Sequence, residues 1–152
     1  YEVVRVVMNE FQERLEELLL EKNMSRLHLA KLLGVSSTTI NGYFNKNYFP
    51  QIDIAIKFSE FFDCSLDYLF GLTDDKKRKY KIDINNLTGA LIKNFNQLLK
   101  ENKLSIAKVM KDLNMSEYNF YRWRNGKFPK TVNLILVAKY FDVSVDYLLS
   151  IK

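Results

Sequence analysis

The sequence is poor in the residues that build metal sites, disulfide frameworks and catalytic centres. It contains one cysteine, Cys64, and one histidine, His28. A lone cysteine excludes an intrachain disulfide and any zinc site built on several cysteines, and a lone histidine removes most metal and acid–base constellations. Five glycines and two prolines are too few for an all-β sandwich or barrel rich in turns. We therefore predict a protein with no metal and no cofactor.

Long apolar runs are also absent. The apolar runs that do occur, such as residues 18–20, fall far short of the roughly 20 residues that cross a bilayer. The first seven residues lack the basic start and apolar core of a signal peptide, and their loose alternation predicts a short strand or an arm. Scarce cysteine suits a reducing compartment. These features predict a cytoplasmic protein without a membrane segment.

Motifs of catalysis are missing as well. The sequence has no glycine-rich phosphate loop, no paired carboxylates in a recognisable setting and no nucleophile beside a basic partner. We predict that the protein is not an enzyme. The residues outside the repeats described below are too few for a separate ligand-sensing domain, so no small-molecule effector is expected.

What the sequence does have is enough apolar material for a core, and an excess of positive charge. Of its 152 residues, 47% are hydrophobic and 27% are charged, which favours a folded chain over general disorder. The 23 basic and 18 acidic residues give a formal charge of +5. This balance favours a polyanionic partner.

The sequence repeats itself with a period of about 80 residues. Ser65-Leu66-Asp67-Tyr68-Leu69 recurs 79 residues later as Ser144-Val145-Asp146-Tyr147-Leu148, whereas Leu18-Leu19 matches Leu98-Leu99 at a distance of 80. The one-residue difference lies just before Pro50 and Pro129, as expected of a loop. The chain therefore contains two tandem copies of one small domain.

Each copy follows a helical pattern. Apolar residues recur at spacings of three and four, which predicts amphipathic helices, and serines stand before them as N-caps. Five helices in about 60 residues predict an all-α domain. We divide the chain into an N-terminal arm (1–8), a first domain (9–72), a basic linker (73–87) and a second domain (88–152). The serines are Ser25, Ser36, Ser65, Ser105, Ser116 and Ser144.

The middle of each copy has the pattern of a helix-turn-helix motif. In the first copy, Ala30 is followed by Gly34 and Ile40. A small residue lets two helices approach closely, a glycine takes the left-handed conformation that ends the first helix, and the isoleucine anchors the second helix in the core.

With these residues the chain resembles the Cro and phage-repressor family of helix-turn-helix proteins, often called the xenobiotic-response-element (XRE) family. The resemblance rests on residues 24–36, Ile40 and 64–71 of the first copy, and on residues 104–105, 113–116, 123–129 and 143–149 of the second. It implies two tandem lambda-repressor-like domains. It also implies a sequence-specific transcriptional regulator of repressor type that binds double-stranded DNA in the major groove.

The second copy departs from the family pattern within the motif. Met110 stands where the family has a small residue, which predicts a wider crossing of the two helices, and Asn114 replaces the turn glycine. Asparagine tolerates the left-handed conformation, so we expect the turn to survive. Two further family positions differ between the copies: the usual glutamine is replaced by Arg26 and Ile106, and the common acidic residue by Phe44 and Arg124.

The second helix of each motif, called here the recognition helix, has a core face and an outward face that helical geometry separates. We expect Ile40, Tyr43 and Phe44, and likewise Phe120 and Trp123, to point into the core, because residues advance about 100° each around a helix. The base-reading candidates are then Ser37, Thr38, Asn41, Glu117, Tyr118, Tyr121 and Arg122. The phosphate candidates are Arg26, Asn45, Lys46, Lys103, Arg124, Asn125 and Lys127. Arg122 can grip guanine through two hydrogen bonds, which favours the second copy for direct readout.

Three alternatives stay open at this point. Aromatic residues at positions expected to be exposed, including Phe44, Phe49, Tyr118 and Tyr121, suit a protein-interaction module, antitoxin-like or an adaptor, in which one or both copies have lost DNA binding. The basic run 76–81 is either a soluble linker or a tether that follows DNA. A homodimer is compatible with the family, although here two recognition helices already lie on one chain, which predicts an asymmetric site.

Overall fold

The structure is a computed structural model that describes residues 2–45 and 49–151. Over these ranges the chain is helical, with ten α-helices, one short 3₁₀ helix and no strand longer than an isolated bridge. It divides into two compact units at Arg78 and Lys79, called here the first and second domains. The predicted all-α fold with two tandem five-helix domains is confirmed.

The first domain contains helices α1 to α5. Their bounds are Glu2–Glu21, Arg26–Leu33, Ser37–Phe44, Ile52–Phe62 and Leu66–Leu69. The predicted N-terminal strand or arm is wrong, because α1 already begins at Glu2. The helix extends this far because its apolar face does. Val7, Phe11 and Leu15 are buried at intervals of four residues, so the helical pattern continues towards the N-terminus.

The second domain repeats this order. A 3₁₀ turn at Ile84–Asn86 leads into α6 (Leu87–Asn102), followed by α7 (Ile106–Asp112), α8 (Tyr118–Arg124), α9 (Thr131–Phe141) and α10 (Val145–Leu149). Over the described residues, no helix is long and apolar enough to span a membrane.

Aromatic rings fill the core of each domain around its first helix. In the first domain, the ring of Phe11 lies 5.9 Å from that of Tyr43 and 6.0 Å from that of Phe58. In the second, the ring of Phe95 lies 5.5 Å from that of Phe120. Tyr43 and Phe120 belong to the recognition helices, so these edge-on contacts fasten those helices to the core.

Residues 73–87 are attached to the domains rather than forming an independent linker. Arg14 donates to the Thr73 carbonyl at 3.1 Å, and Lys76 Nζ lies 2.8 Å from a carboxylate oxygen of Glu21 in the first domain. On the other side, the N–H of Ile151 donates to the Lys81 carbonyl, and Ile82 forms a bridge with Ser150. The ion pair of Lys76 shows that part of the basic run is compensated within the first domain.

Candidate nucleic-acid interface

The turn of each motif has the same backbone geometry. Gly34 has φ = 68°, and the N–H of Val35 donates to the Ala30 carbonyl at 3.1 Å. In the second domain Asn114 has φ = 57°, and the N–H of Met115 donates to the Met110 carbonyl at 2.8 Å. These bonds satisfy the last carbonyls of α2 and α7. Asparagine therefore replaces glycine without loss of the turn, as predicted.

A serine precedes each recognition helix, but the N-cap of α8 is Glu117, which makes no side-chain cap bond, and not the predicted Ser116. Ser36 Oγ accepts from the N–H of Thr39 at 3.1 Å, so α3 begins at Ser37. Ser116 Oγ accepts from the N–H of Tyr118 at 3.2 Å, and α8 begins at that tyrosine. Glu117 lies exposed just before α8.

The core faces of the recognition helices are those predicted. Ile40, Tyr43 and Phe44 are buried on α3, and Phe120 and Trp123 are buried on α8. Met110 on α7 is fully buried, so the large side chain lies in the core at the position where the family has a small residue. The wider crossing of α7 and α8 stays a prediction.

The outward face of α8 brings four of the predicted site residues together. Tyr118 is 68% exposed and Tyr121 is 40% exposed, and Arg122 and Asn125 are exposed as well. Because they are spaced by three and four residues along one helix, they form one continuous surface. This surface combines aromatic rings, an amide and a guanidinium with five N–H donors.

The outward face of α3 is smaller and carries no charge. Ser37, Thr38, Asn41 and Asn45 are exposed there, offering hydroxyl and amide groups to a partner. Gly42, which helical geometry places on the outward side, is buried instead, since it has no side chain to project beyond its neighbours. Lys46 lies outside the described residues.

Arg26 is held by an aromatic ring of the next helix. Its guanidinium carbon lies 4.0 Å from the centroid of the Phe44 ring, and a guanidinium nitrogen lies 4.0 Å from a carboxylate oxygen of Glu16. This cation–π contact joins the start of α2 to the end of α3. Arg26 and Phe44 both depart from the family pattern, and their contact depends on how α2 packs against α3.

The remaining phosphate candidates lie at the ends of helices in the second domain. Lys103 ends α6 in the left-handed conformation, Arg124 and Asn125 end α8, and Lys127 follows. All four are exposed. Arg124 differs from the others because its guanidinium carbon lies 5.0 Å from the centroid of the Tyr121 ring.

A small polar network joins α7, the first helix of the second motif, to α9. Asp112 accepts a hydrogen bond from the Tyr140 hydroxyl at 2.7 Å and another from Lys108 Nζ at 2.9 Å. The bond from Tyr140, followed by the one from Lys108, lowers the pKa of Asp112. The same carboxylate raises the pKa of Lys108 and of Tyr140. Lys108 therefore forms its ion pair within α7.

No group of three or more potential metal ligands from His, Cys, Asp and Glu occurs among the residues that the structure describes. His28 is exposed and Cys64 is buried, as predicted. The two residues lie on different elements of the first domain.

Two protein families match the chain, one per domain. A family described as "Helix-turn-helix" matches residues 15–69, and one described as "Cro/C1-type HTH DNA-binding domain" matches residues 94–152. The chain carries two helix-turn-helix domains of the Cro/C1 type in tandem. The resemblance to the Cro and phage-repressor family is confirmed, and neither family description names a catalytic activity.

A bacterial relative and the solved structures complete the comparison. The chain is similar to the Bacillus subtilis (strain 168) protein named "Uncharacterized HTH-type transcriptional regulator YobD", with 30% identity over 67 residues. The match covers 44% of this chain and 60% of the relative, so the chain spans less than two thirds of that protein. No solved structure matches the chain.

Proposed function

We propose that this tandem helix-turn-helix protein is a sequence-specific transcriptional regulator of repressor type. Its recognition helices α3 and α8 enter the major groove of double-stranded DNA, and α8 provides most of the base readout. The proposal includes a cytoplasmic location, because the regulator acts where DNA lies. It needs no cofactor and no small-molecule effector.

The observation that carries the proposal is the outward face of α8. Arg122 is exposed there beside Tyr118 and Tyr121, on the helix that the turn at Asn114 presents. An arginine so placed can donate two hydrogen bonds to O6 and N7 of guanine, a contact that distinguishes guanine from the other bases. Exposed Lys103 and Lys127 supply charge for phosphates, which position the protein without reading sequence.

The first domain suits an accessory role at the same site. Residues 22–49 contain four basic residues and no acid, while residues 102–128 contain six basic and two acidic residues. Both motifs thus have a charge of +4, which favours DNA at each. Because Thr38 and Asn41 replace Tyr118 and Tyr121, the two domains read different bases, and the preferred site is asymmetric.

The proposal is tested by titrating full-length protein against duplexes selected from random oligonucleotides, at several salt concentrations. Counterion release predicts that affinity falls steeply as salt rises. Replacing Arg122 by Ala lowers the preference for one base pair by about 1–3 kcal/mol. Arg5→Ala is the matched control, since Arg5 is exposed on α1 outside both motifs. Absence of binding at low salt contradicts the proposal.

One observation favours a second candidate, a protein-interaction module. Leu27 and Leu32 on α2 and Leu20 on α1 expose more than half of their side-chain surface, as a domain that binds another protein does. Phe44 and Phe49 no longer support it, because Phe44 is buried and the ring of Phe49 packs 5.4 Å from that of Phe11. Under this candidate, random duplex is not bound at low salt.

A homodimer is a further proposal, tested by sedimentation.

A further inference from the structure

Two tyrosine rings lie in the part of α8 that the proposed function directs towards bases. Tyr118 and Tyr121 are three residues apart, so they share one face of the helix, and Arg122 lies beside them. With 68% and 40% of their surfaces exposed, both rings remain available to a partner. A phenol has one O–H donor and no positive charge, so it can donate a single hydrogen bond to a phosphate, but it cannot form the paired contact with the O6 and N7 atoms of guanine, and its ring is left to meet an apolar group.

The ring of Tyr121 is held in place on two sides. The ring of Phe120 lies 5.9 Å away at an interplanar angle of 83°, and Phe120 is itself buried. On another side, the guanidinium carbon of Arg124 lies 5.0 Å from the centroid of the Tyr121 ring. A ring that is fixed before binding loses little conformational freedom when it meets a partner.

Among the four bases, thymine is the one whose major-groove edge carries an apolar group. Thymine presents a C5 methyl group there, whereas cytosine has only a hydrogen at C5 and the purines present the N7 acceptor. The geometry points to Tyr118 and Tyr121 as readers of a thymine methyl group, with Arg124 as a positioning residue for Tyr121. This inference rests on the proposed function and assigns a base to part of its site.

The two domains differ at these positions. Thr38 and Asn41 occupy them in the first domain, and Phe44, the counterpart of Arg124, is buried beneath Arg26. An aromatic pair of this kind is therefore specific to the second domain. We therefore expect the tyrosines to make affinity depend on a thymine methyl group only in the half of the site that α8 contacts.

The test replaces thymine by uracil, one position at a time, in a duplex selected with the full chain. Uracil lacks only the methyl group, so the ratio of the two dissociation constants measures methyl recognition. In the wild type this ratio is about four at one or two positions, the effect of burying one methyl-sized group. Tyr118→Ser or Tyr121→Ser brings the ratio towards one, whereas Tyr121→Phe retains it.

Arg124 is tested with the same duplexes. Arg124→Gln lowers the uracil-to-thymine ratio at the position assigned to Tyr121, and Arg124→Lys restores part of it because a cation remains near the ring. The control is Lys127→Gln, which weakens binding to both duplexes by the same factor, as loss of a phosphate contact does. A ratio unchanged in Arg124→Gln overturns the positioning role.

Failure of this inference can be distinguished from failure of the proposed function. If the wild type binds the selected duplex but shows no uracil effect, or if both serine variants retain the effect, the methyl assignment is overturned while the DNA-binding proposal stands. If the wild type binds no duplex at low salt, both are overturned. Tyr118→Ser is the safest variant for folding, because this side chain is the more exposed of the two.

Discussion

At the residue scale, one polar side chain on the first helix of each domain fastens the C-terminal end of that domain. Asn94 on α6 is buried, and its Nδ2 donates to the carbonyls of Tyr147, Leu148 and Ser150 at 2.9–3.1 Å. In the first domain, the counterpart Arg14 donates to the Thr73 carbonyl. Tyr147 and Leu148 belong to the last turn of α10 and Ser150 is its C-cap, a place where few backbone donors are available, although the Tyr147 carbonyl also accepts from the N–H and hydroxyl of Ser150.

Removal of the Asn94 amide is expected to destabilise the second domain. Asn94→Ala removes the buried amide donor that these three carbonyls share, which costs about 2–3 kcal/mol in the free energy of unfolding. Trp123 is the only tryptophan and lies in α8, so its fluorescence during urea unfolding reports on this domain. Asn96→Ala is the control, an exposed position on the same helix. Equal unfolding free energies for the two variants would show that the amide contributes nothing.

Two glycines with similar backbone conformations differ in the space around them. Gly71 has φ = 71°, and a Cβ atom added there would lie 2.3 Å from Cβ of Glu10 on α1. Gly34 has φ = 68°, and nothing lies within 4 Å of an added Cβ. Gly34→Ala therefore costs the first domain only the left-handed strain of about 1–2 kcal/mol.

Gly71→Ala is expected to cost more than Gly34→Ala, because α1 must also move away from the new methyl group. Circular dichroism during urea unfolding compares the two variants through the transition of the first domain. A smaller loss of stability for Gly71→Ala than for Gly34→Ala would contradict the close approach of Gly71 to Glu10.

At the element scale, the helices were predictable because their signals are local. Ser25 and Ser105 accept hydrogen bonds from the N–H groups of His28 and Lys108, the capping arrangement that their positions indicated. The burial of Ile40 on α3 followed equally from spacing within one helix. Signals of this kind need no knowledge of the neighbouring helix.

The features that were not predictable depend on contacts between distant residues. Whether valines near the N-terminus form helix or strand is decided by packing, and Val7 is buried beside the rest of α1. The contact of Arg26 with Phe44 depends on how α2 and α3 cross. The attachment of Thr73 through Arg14 joins residues 59 positions apart.

The network between α7 and α9 predicts how stability depends on pH. Hydrogen bonds from Tyr140 and Lys108 lower the pKa of Asp112 in the folded protein. A carboxyl whose folded pKa is lowered contributes stability above its unfolded pKa of about 4, and this contribution is lost as pH falls through the folded pKa. Asp112→Asn is therefore less stable than the wild type at pH 7, and the difference shrinks towards pH 3.

Tyr140→Phe provides the matched variant for this measurement. It removes the first of the two bonds to Asp112 and keeps the ring, so it is expected to reduce the pH dependence without abolishing it. Urea unfolding of the wild type, Asp112→Asn and Tyr140→Phe, followed through Trp123 at pH 7 and pH 3, gives the six free energies required. A difference between wild type and Asp112→Asn that does not change with pH would exclude the network as its cause.

At the scale of the whole molecule, the overall charge of +5 says less than its distribution. The five glutamates between residues 10 and 21 all lie on α1. Each helix-turn-helix motif, in contrast, carries an excess of basic residues. Two motifs of equal charge but unequal reading faces lie on one polypeptide. Linking them raises the effective concentration of one domain at the DNA once the other is bound.

The most direct test of this account is binding-site selection followed by footprinting, with the full-length wild type and two variants. The account predicts an asymmetric site, in which Arg122→Ala relaxes base preference in one half and Asn41→Ala relaxes it in the other. A palindromic site bound by two chains, each through the same single domain, would contradict it.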